Sequence, residues 1–125
     1  MTRKHLALAW TLFLATLLYS GLAAALEPCH LPNFPERVEC GTLEVPEDRA
    51  TPDGRRITIH FARIKAIARP AAPDPLLVLA GGPGQAAMDF GPLLGSAFRE
   101  VRKRRDILLV DQRGTGRSAP LDCPL

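Results

Sequence analysis

The sequence has 125 residues, of which 46% are hydrophobic and 23% charged, a composition typical of one modest globular domain and not of a disordered chain or a coiled coil. Lysine and arginine total 16 against 13 for aspartate and glutamate, and two of the basic residues fall in the first four positions. The remaining sequence is almost neutral, which argues against nucleic acid or an anionic membrane as a partner.

The beginning of the chain has the organisation of a secretory signal peptide. Basic residues at 3–5 precede an uncharged run over 6–26, which ends in the small residues that the processing peptidase requires. We predict cleavage after Ala25, with residues 1–25 as the signal peptide and 26–125 as the exported chain, periplasmic or secreted. The alternative is an uncleaved membrane anchor, because the apolar run approaches the ~20 residues that span a bilayer.

All three cysteines lie beyond this leader, where export predicts an oxidising environment. We favour a disulfide between Cys29 and Cys40, which would fix the new N-terminus to the first strand and add about 3 kcal/mol in the chain-entropy model. Cys123 is then left over, and we expect its partner in residues outside this sequence. The cysteines and histidines match no zinc pattern, and we predict no metal and no cofactor.

Two segments predict an antiparallel hairpin. Residues 38–45 are rich in strand-forming types and end at a proline, and a Thr-Pro-Asp-Gly turn signal follows at 51–54. Residues 56–66 alternate between polar and apolar, with one apolar face formed by Ile57, Ile59 and Phe61. Ile64 is out of phase with that face, so we expect a bulge near Phe61 or Ala62.

The next segments change character. Residues 76–80 and 107–110 are continuously apolar, which predicts strands of a parallel sheet buried on both faces. A helix predicted over 92–104 would connect them in a right-handed crossover. Its carboxyl end carries a basic cluster that would complement the helix dipole: Arg99, Arg102, Lys103, Arg104 and Arg105. One helix cannot cover two such strands, so we expect residues 26–125 to be an incomplete part of a larger domain.

A glycine-rich loop, GGPG at 81–84, follows the first apolar run. Glycines at the carboxyl end of a strand allow a sharp bend that exposes backbone N–H groups, as an oxyanion-binding loop requires. A phosphate-binding loop is disfavoured because its Gly-Lys-Ser/Thr ending is absent and Pro83 lacks an N–H. The remaining alternative is a tight turn without chemical function.

A second loop, DQRGTGRS at 111–118, follows the second apolar run. We expect Asp111 to accept hydrogen bonds from the turn, and Arg113 to pair with a carboxylate or to cap carbonyl groups. Taken alone, such a loop is structural more often than catalytic. Ser118 lacks the surrounding G-x-S-x-G pattern of a nucleophile, as do Ser20 and Ser96.

Together with CGTLEVPED at 40–48, these two loops resemble the motifs of prolyl aminopeptidases and of their secreted, tripeptidyl-aminopeptidase-like relatives, over residues 40–123. The resemblance implies an α/β fold, namely the N-terminal portion of an α/β-hydrolase domain. It implies that Gly82 donates its N–H to an oxyanion hole with support from Gly81 and Gly84. It also implies that the second loop braces the first, through Asp111, Gln112, Arg113, Gly114, Gly116 and Ser118.

Two departures from the family accompany the resemblance. Many relatives carry histidine or asparagine where this chain has Ala80, so a side-chain anchor of the glycine loop is missing. The serine elbow, the acid and the triad histidine follow later in the chain order of this fold, and none occurs in this sequence. The resemblance therefore implies the N-terminal part of an exported serine hydrolase that is inactive by itself. Cys123 would pair with a later cysteine.

The implied substrate is the N-terminus of a peptide, or another acyl compound such as an ester. Two alternatives belong to other classes of protein, namely a non-catalytic exported binding module and a signal-anchored membrane protein. The hydrolase interpretation depends on two structural conditions. Residues 76–80 should not lie at a solvated sheet margin, and the amide of Gly82 should not be used in a sheet ladder.

Overall fold

The computed structural model describes residues 25–121. The predicted signal peptide, apart from Ala25, and Cys123 lie outside the described residues. Residues 25–121 form five strands, one 3₁₀ segment and one short helix, in the order β1 (Glu27–His30), β2 (Arg37–Pro46), β3 (Arg56–Ile64), β4 (Leu76–Val78), the 3₁₀ segment (Ala87–Gly95), α1 (Arg99–Arg102) and β5 (Ile107–Val110).

The strands form one mixed sheet in the order β1-β2-β3-β5-β4. The predicted hairpin is confirmed, since β2 and β3 pair antiparallel from Glu39↔Arg63 to Pro46↔Arg56. That register is continuous, so the predicted bulge is wrong. The parallel pair is also confirmed, because β4 lies parallel to β5 with Leu76 opposite Ile107. This small mixed α/β architecture is compatible with the predicted fold class.

The absence of a bulge has a packing explanation, because β3 is apolar on both faces at its carboxyl end. Ala62 and Ile64 are buried in the main core, while Phe61 projects to the opposite face. There its ring lies over Gly41, where a Cβ would come within 2.6 Å of the ring. Ile64 is out of phase with Phe61 because the two side chains are buried on opposite faces of β3, and no residue is inserted between them.

The main core lies on one face of the sheet, under the connection between β4 and β5. Its buried members come from the strands, from the loop before β2 and from the 3₁₀ segment: Leu31, Phe34, Val38, Ala62, Ile64, Val78, Ala87, Leu94, Ile107 and Leu109. In β5, Ile107 and Leu109 are fully buried, while Leu108 and Val110 on the other face are half-buried. The sheet is therefore well covered on one face and partly covered on the other.

The expectation of burial on both faces is wrong for β4. This strand lies at the edge of the described sheet and includes only Leu76–Val78. Leu77 is 51% exposed and Leu79 is 59% exposed. The first condition of the hydrolase interpretation, that residues 76–80 should not lie at a solvated sheet margin, is therefore not met within residues 25–121. The position of β4 gives that interpretation no support.

The predicted helix over 92–104 is also largely wrong. The 3₁₀ segment occupies its beginning, and α1 keeps only four residues of it. Pro92 lies inside the 3₁₀ segment, where its missing N–H disfavours a continuous α-helix over 87–95. The basic cluster therefore does not lie at the end of a long helix. Two of its members form ion pairs instead, Arg102 with Glu36 and Arg105 with Asp74.

The predicted disulfide is confirmed. Cys29 and Cys40 are bonded, with their Cα atoms 5.8 Å apart, and the bridge joins β1 to β2. Such bridges persist in oxidising compartments, which agrees with export. Among residues 25–121, no helix has the length and apolar character needed to cross a bilayer.

Candidate oxyanion site

The glycine loop leaves β4 at its carboxyl end and lies in solvent. Residues 81–85 are all exposed, and Gly82 and Gly84 have φ values of 77° and 84°. Side chains rarely adopt this left-handed conformation, so both positions favour glycine. The bend is closed by the amide of Gln85, which donates to the carbonyl of Gly82 at 3.3 Å.

The amides of the glycine loop are uncommitted. Within the described part of the chain, the N–H groups of Gly81, Gly82 and Gly84 donate no hydrogen bond to backbone or side chain. The ladder between β4 and β5 ends at Val78↔Leu109, before the loop begins. The second condition of the hydrolase interpretation is therefore met, since Gly82 keeps a donor for a ligand.

Asp111 connects the second loop to the chain that follows the glycine loop. Its side chain is 1% exposed, and its two carboxylate oxygens have different partners. Oδ1 accepts from the amide of Met88 at 3.1 Å, and Oδ2 accepts from the amide of Arg117 at 3.2 Å. A buried carboxylate that accepts backbone N–H bonds is well satisfied, so Asp111 fixes the 3₁₀ segment and the second loop relative to each other.

Gly116 allows this contact. A Cβ at this position would lie 2.2 Å from Oδ2 of Asp111 and 2.8 Å from the Cβ of Ala86. Its φ of 52° is also in the left-handed region. The second loop therefore approaches Asp111 as closely as it does because residue 116 has no side chain.

Ser118 is completely buried and has a structural contact. Its Oγ accepts a hydrogen bond from the amide of His60 at 2.9 Å, which joins the second loop to β3. The carbonyl of Ser118 accepts from the amide of Gly114 at 2.8 Å, which closes the loop on itself. The Ser118 hydroxyl therefore links the second loop to β3.

The other predicted loop residues are more exposed. Arg113 donates to the carbonyl of Glu47, so it caps a carbonyl group, and it pairs with no carboxylate among residues 25–121. The carbonyl of Gln112 accepts from the hydroxyl of Thr115 at 2.8 Å. Met88 and His60 contribute backbone groups and were not predicted from the sequence. No side-chain pattern could have revealed those two positions.

The charged side chains of the described residues form no cluster of three or more His, Cys, Asp or Glu residues that could hold a metal ion. The candidate site consists of backbone N–H donors on a loop, with a neighbouring loop fixed by Asp111. Chemically, such donors can bind an anion or stabilise an oxygen atom on which negative charge develops.

Known proteins with similar sequences are hydrolases. A tripeptidyl aminopeptidase from Streptomyces coelicolor is 33% identical over 95 residues, which cover 73% of this chain and 18% of the relative. The chain resembles aminopeptidase-like hydrolases. The tripeptidyl aminopeptidase of Streptomyces lividans is 32% identical over the same extent. A Mycobacterium tuberculosis protein called carboxylesterase B is 31% identical over 83 residues, or 65% of this chain.

This resemblance to aminopeptidase-like hydrolases supports a hydrolase type of function. The chain spans about a fifth of the length of the Streptomyces relatives, at 18% of each. No protein-family model matches the sequence.

Proposed function

We propose that this chain supplies the oxyanion-binding loop of an exported serine hydrolase that acts on the N-termini of peptides. The observation that carries the proposal is the glycine loop after β4, in which the amide of Gly82 is uncommitted within the described residues. The similarity to hydrolases over 73% of the chain supports the assignment independently of this geometry.

In the proposed reaction, a serine attacks the carbonyl carbon of the substrate and the carbonyl oxygen gains negative charge. The N–H of Gly82 donates to that oxygen, and Gly81 and Gly84 give the loop its shape. Asp111 contributes at a distance, because its bond to Met88 holds the chain that follows the loop. It is therefore a positioning residue.

The nucleophile, the acid and the triad histidine are proposed to come from residues outside this sequence. None of its serines has the G-x-S-x-G surroundings of a nucleophile elbow. We therefore expect the 125-residue chain alone to be inactive.

The substrate class is proposed from the relatives. The Streptomyces proteins are called tripeptidyl aminopeptidases, which favours release of short peptides from a free N-terminus. A second candidate is ester hydrolysis, because the mycobacterial relative is called a carboxylesterase. Both reactions develop an oxyanion that the same amide can stabilise.

Export is part of the proposal. Cleavage after Ala25 would give a mature chain that begins at Leu26, and the Cys29–Cys40 bridge is suited to an oxidising compartment. N-terminal sequencing of the exported protein tests this step. A sequence that begins at Met1 would instead support a retained membrane anchor.

The decisive experiment uses the gene product together with any residues encoded after Leu125. We expect it to hydrolyse a tripeptidyl p-nitroanilide with a free N-terminus and to be much slower on the N-acetylated compound, while a p-nitrophenyl ester tests the second candidate. Gly82→Pro, which removes the N–H, should lower kcat by ~10²–10³ with a smaller effect on KM. The matched control is Gly84→Pro, which imposes the same loss of a left-handed φ but keeps the Gly82 donor.

Two results would overturn the proposal. The first is a coding sequence that stops at Leu125 and yields a cooperatively folded product, which would favour a binding module. The second is an active enzyme in which Gly82→Pro and Gly84→Pro have equal effects.

A further inference from the structure

Gln85 directly follows the glycine loop, and both its backbone and its side chain lie near Gly82. Its backbone amide donates to the carbonyl of Gly82 at 3.3 Å. Oε1 of its side chain lies 4.0 Å from the position that a Cβ on Gly82 would occupy, and within the described part of the chain no other heavy atom beyond the neighbours of Gly82 comes as close. The side chain therefore turns back along the loop, toward the residue whose amide is proposed to bind the oxyanion.

The side-chain amide of Gln85 is uncommitted. Gln85 is exposed, and among residues 25–121 its side chain forms no hydrogen bond. A glutamine amide carries two N–H donors and one acceptor oxygen. These donors are therefore available to a ligand, as is the backbone amide of Gly82.

The position after Gly82 cannot supply a second backbone donor, because Pro83 has no N–H. Gln85 can supply one from its side chain. The last side-chain torsion of glutamine is broad and roughly twofold, so its NH2 group can take the place in which Oε1 lies. An oxygen that accepts from the amide of Gly82 at about 3 Å would then be within reach of both groups.

We propose that the side-chain NH2 group of Gln85 is a second donor to the oxyanion in the reaction described above. The inference rests on the proposed function, because both donors would bind the same carbonyl oxygen of the substrate. Glutamine side chains can act in this way, since a positioned N–H dipole stabilises negative charge without transferring a proton. Gln85 would therefore be a catalytic residue through its side chain, while its backbone amide closes the bend of the loop.

The test uses the gene product with any residues encoded after Leu125, assayed on the tripeptidyl p-nitroanilide. Gln85→Met keeps the length of the side chain but removes its donors, and it should lower kcat by about tenfold to a hundredfold while KM stays within about twofold. This loss should be smaller than that of Gly82→Pro, because an exposed side chain loses rotamer freedom when it binds. Gln85→Lys is the matched control, since it restores an N–H donor and should keep most of kcat.

Inhibitor binding separates stabilisation of the oxyanion from a change in the shape of the loop. When a tripeptide aldehyde binds, the serine oxygen bonds to the carbonyl carbon, the serine proton passes to the histidine, and the carbonyl oxygen gains the negative charge. The corresponding tripeptide alcohol cannot form this adduct. Gln85→Met should therefore weaken binding of the aldehyde by about tenfold and leave binding of the alcohol unchanged.

The outcomes distinguish this inference from the proposed function. If Gly82→Pro slows the enzyme while Gln85→Met changes neither kcat nor aldehyde affinity, Gln85 is not a donor and the proposed function stands. Equal losses of kcat in Gln85→Met and Gln85→Lys, or equal weakening of the aldehyde and the alcohol, would also overturn the role of Gln85. An inactive gene product, or equal effects of Gly82→Pro and Gly84→Pro, would overturn both proposals.

Discussion

At the scale of single residues, the second loop depends on a carboxylate and a glycine that are in close contact. Asp111 is buried, and it is satisfied by the amides of Met88 and Arg117. Gly116 lies so close to Oδ2 that any side chain would displace one of the two groups. Both residues were predicted to support the second loop. The structure adds that position 116 requires glycine because of its contact with Asp111 as well as its backbone angle.

Gly116→Ala should therefore be strongly destabilising. The added Cβ would lie 2.2 Å from Oδ2 of Asp111, and alanine would also have to adopt a φ of 52°. We expect a loss of about 2–4 kcal/mol in the free energy of unfolding, measured by urea denaturation. Gly95→Ala is the matched control, because its Cβ would meet no atom within 4 Å. Similar losses for the two variants would contradict the steric explanation.

At the scale of elements, β1 is a short strand held by its bridge. It has four residues, of which only Cys29 is partly buried. Its pairing with β2 therefore contributes little apolar burial, and the covalent link between Cys29 and Cys40 is expected to hold it in place.

Replacing Cys29 and Cys40 together by alanine should lower the free energy of unfolding by about 3 kcal/mol, because the unfolded chain gains entropy. Thermal and urea unfolding would measure the loss, and mass spectrometry after alkylation would establish which thiols are free. Cys123→Ala is the control and should leave the bridge between β1 and β2 intact. Retention of full stability in the double variant would show that β1 is held by other contacts.

The short helix α1 is also attached through a charged contact. Arg102 donates to both carboxylate oxygens of Glu36, and its guanidinium lies 5.6 Å from the centre of the Phe34 ring. The hydrogen bond from Arg102 lowers the pKa of Glu36 below its ordinary value of 4.5. A lowered pKa means that the folded state stabilises the ionised form of the Glu36 carboxyl more than the unfolded chain does.

The stabilisation from Glu36 should therefore be present above about pH 4.5 and lost as the pH falls through the lower folded pKa. Glu36→Gln should reduce stability at pH 7 by less than about 1 kcal/mol, because the carboxylate is half exposed. The variant should approach the unmodified chain in acid. Urea unfolding between pH 2 and pH 7 measures this, and the same substitution in an Arg102→Gln background should have no pH-dependent effect.

The connection between β4 and β5 shows how far an element can be predicted. The parallel strands were correctly predicted from their continuous apolar residues, but the helix between them was not. Gly91 packs so closely that a Cβ would lie 2.6 Å from the carbonyl oxygen of Pro32. This contact is made with a residue far away in the sequence, so the apolar pattern of the segment does not reveal it.

At the scale of the whole molecule, the sheet has an uneven distribution of apolar surface. One face carries the core, while β4 forms an edge at which Leu77 and Leu79 are largely exposed. An open apolar edge strand promotes association with other chains.

Leu77→Lys should reduce self-association of residues 26–125, the chain without its apolar leader, at little cost in stability, because Leu77 is already 51% exposed. Light scattering and sedimentation would measure the association. In a longer hydrolase product, the same substitution should instead be destabilising. Leu109→Ala is the comparison in the core and should lower the free energy of unfolding by about 2–5 kcal/mol in either protein. A Leu77→Lys variant that associates as strongly as the unmodified chain would contradict the role of this edge.

The sequence by itself determined the hairpin, the parallel pair, the disulfide and the two loops, because each depends on local residue types or on spacing along the chain. Tertiary structure decided the rest. It placed β4 at an edge, replaced the helix by a 3₁₀ segment and brought Asp111 to the amide of Met88. These features depend on which surfaces meet in space, and a local pattern of apolar residues does not specify the partner that covers them.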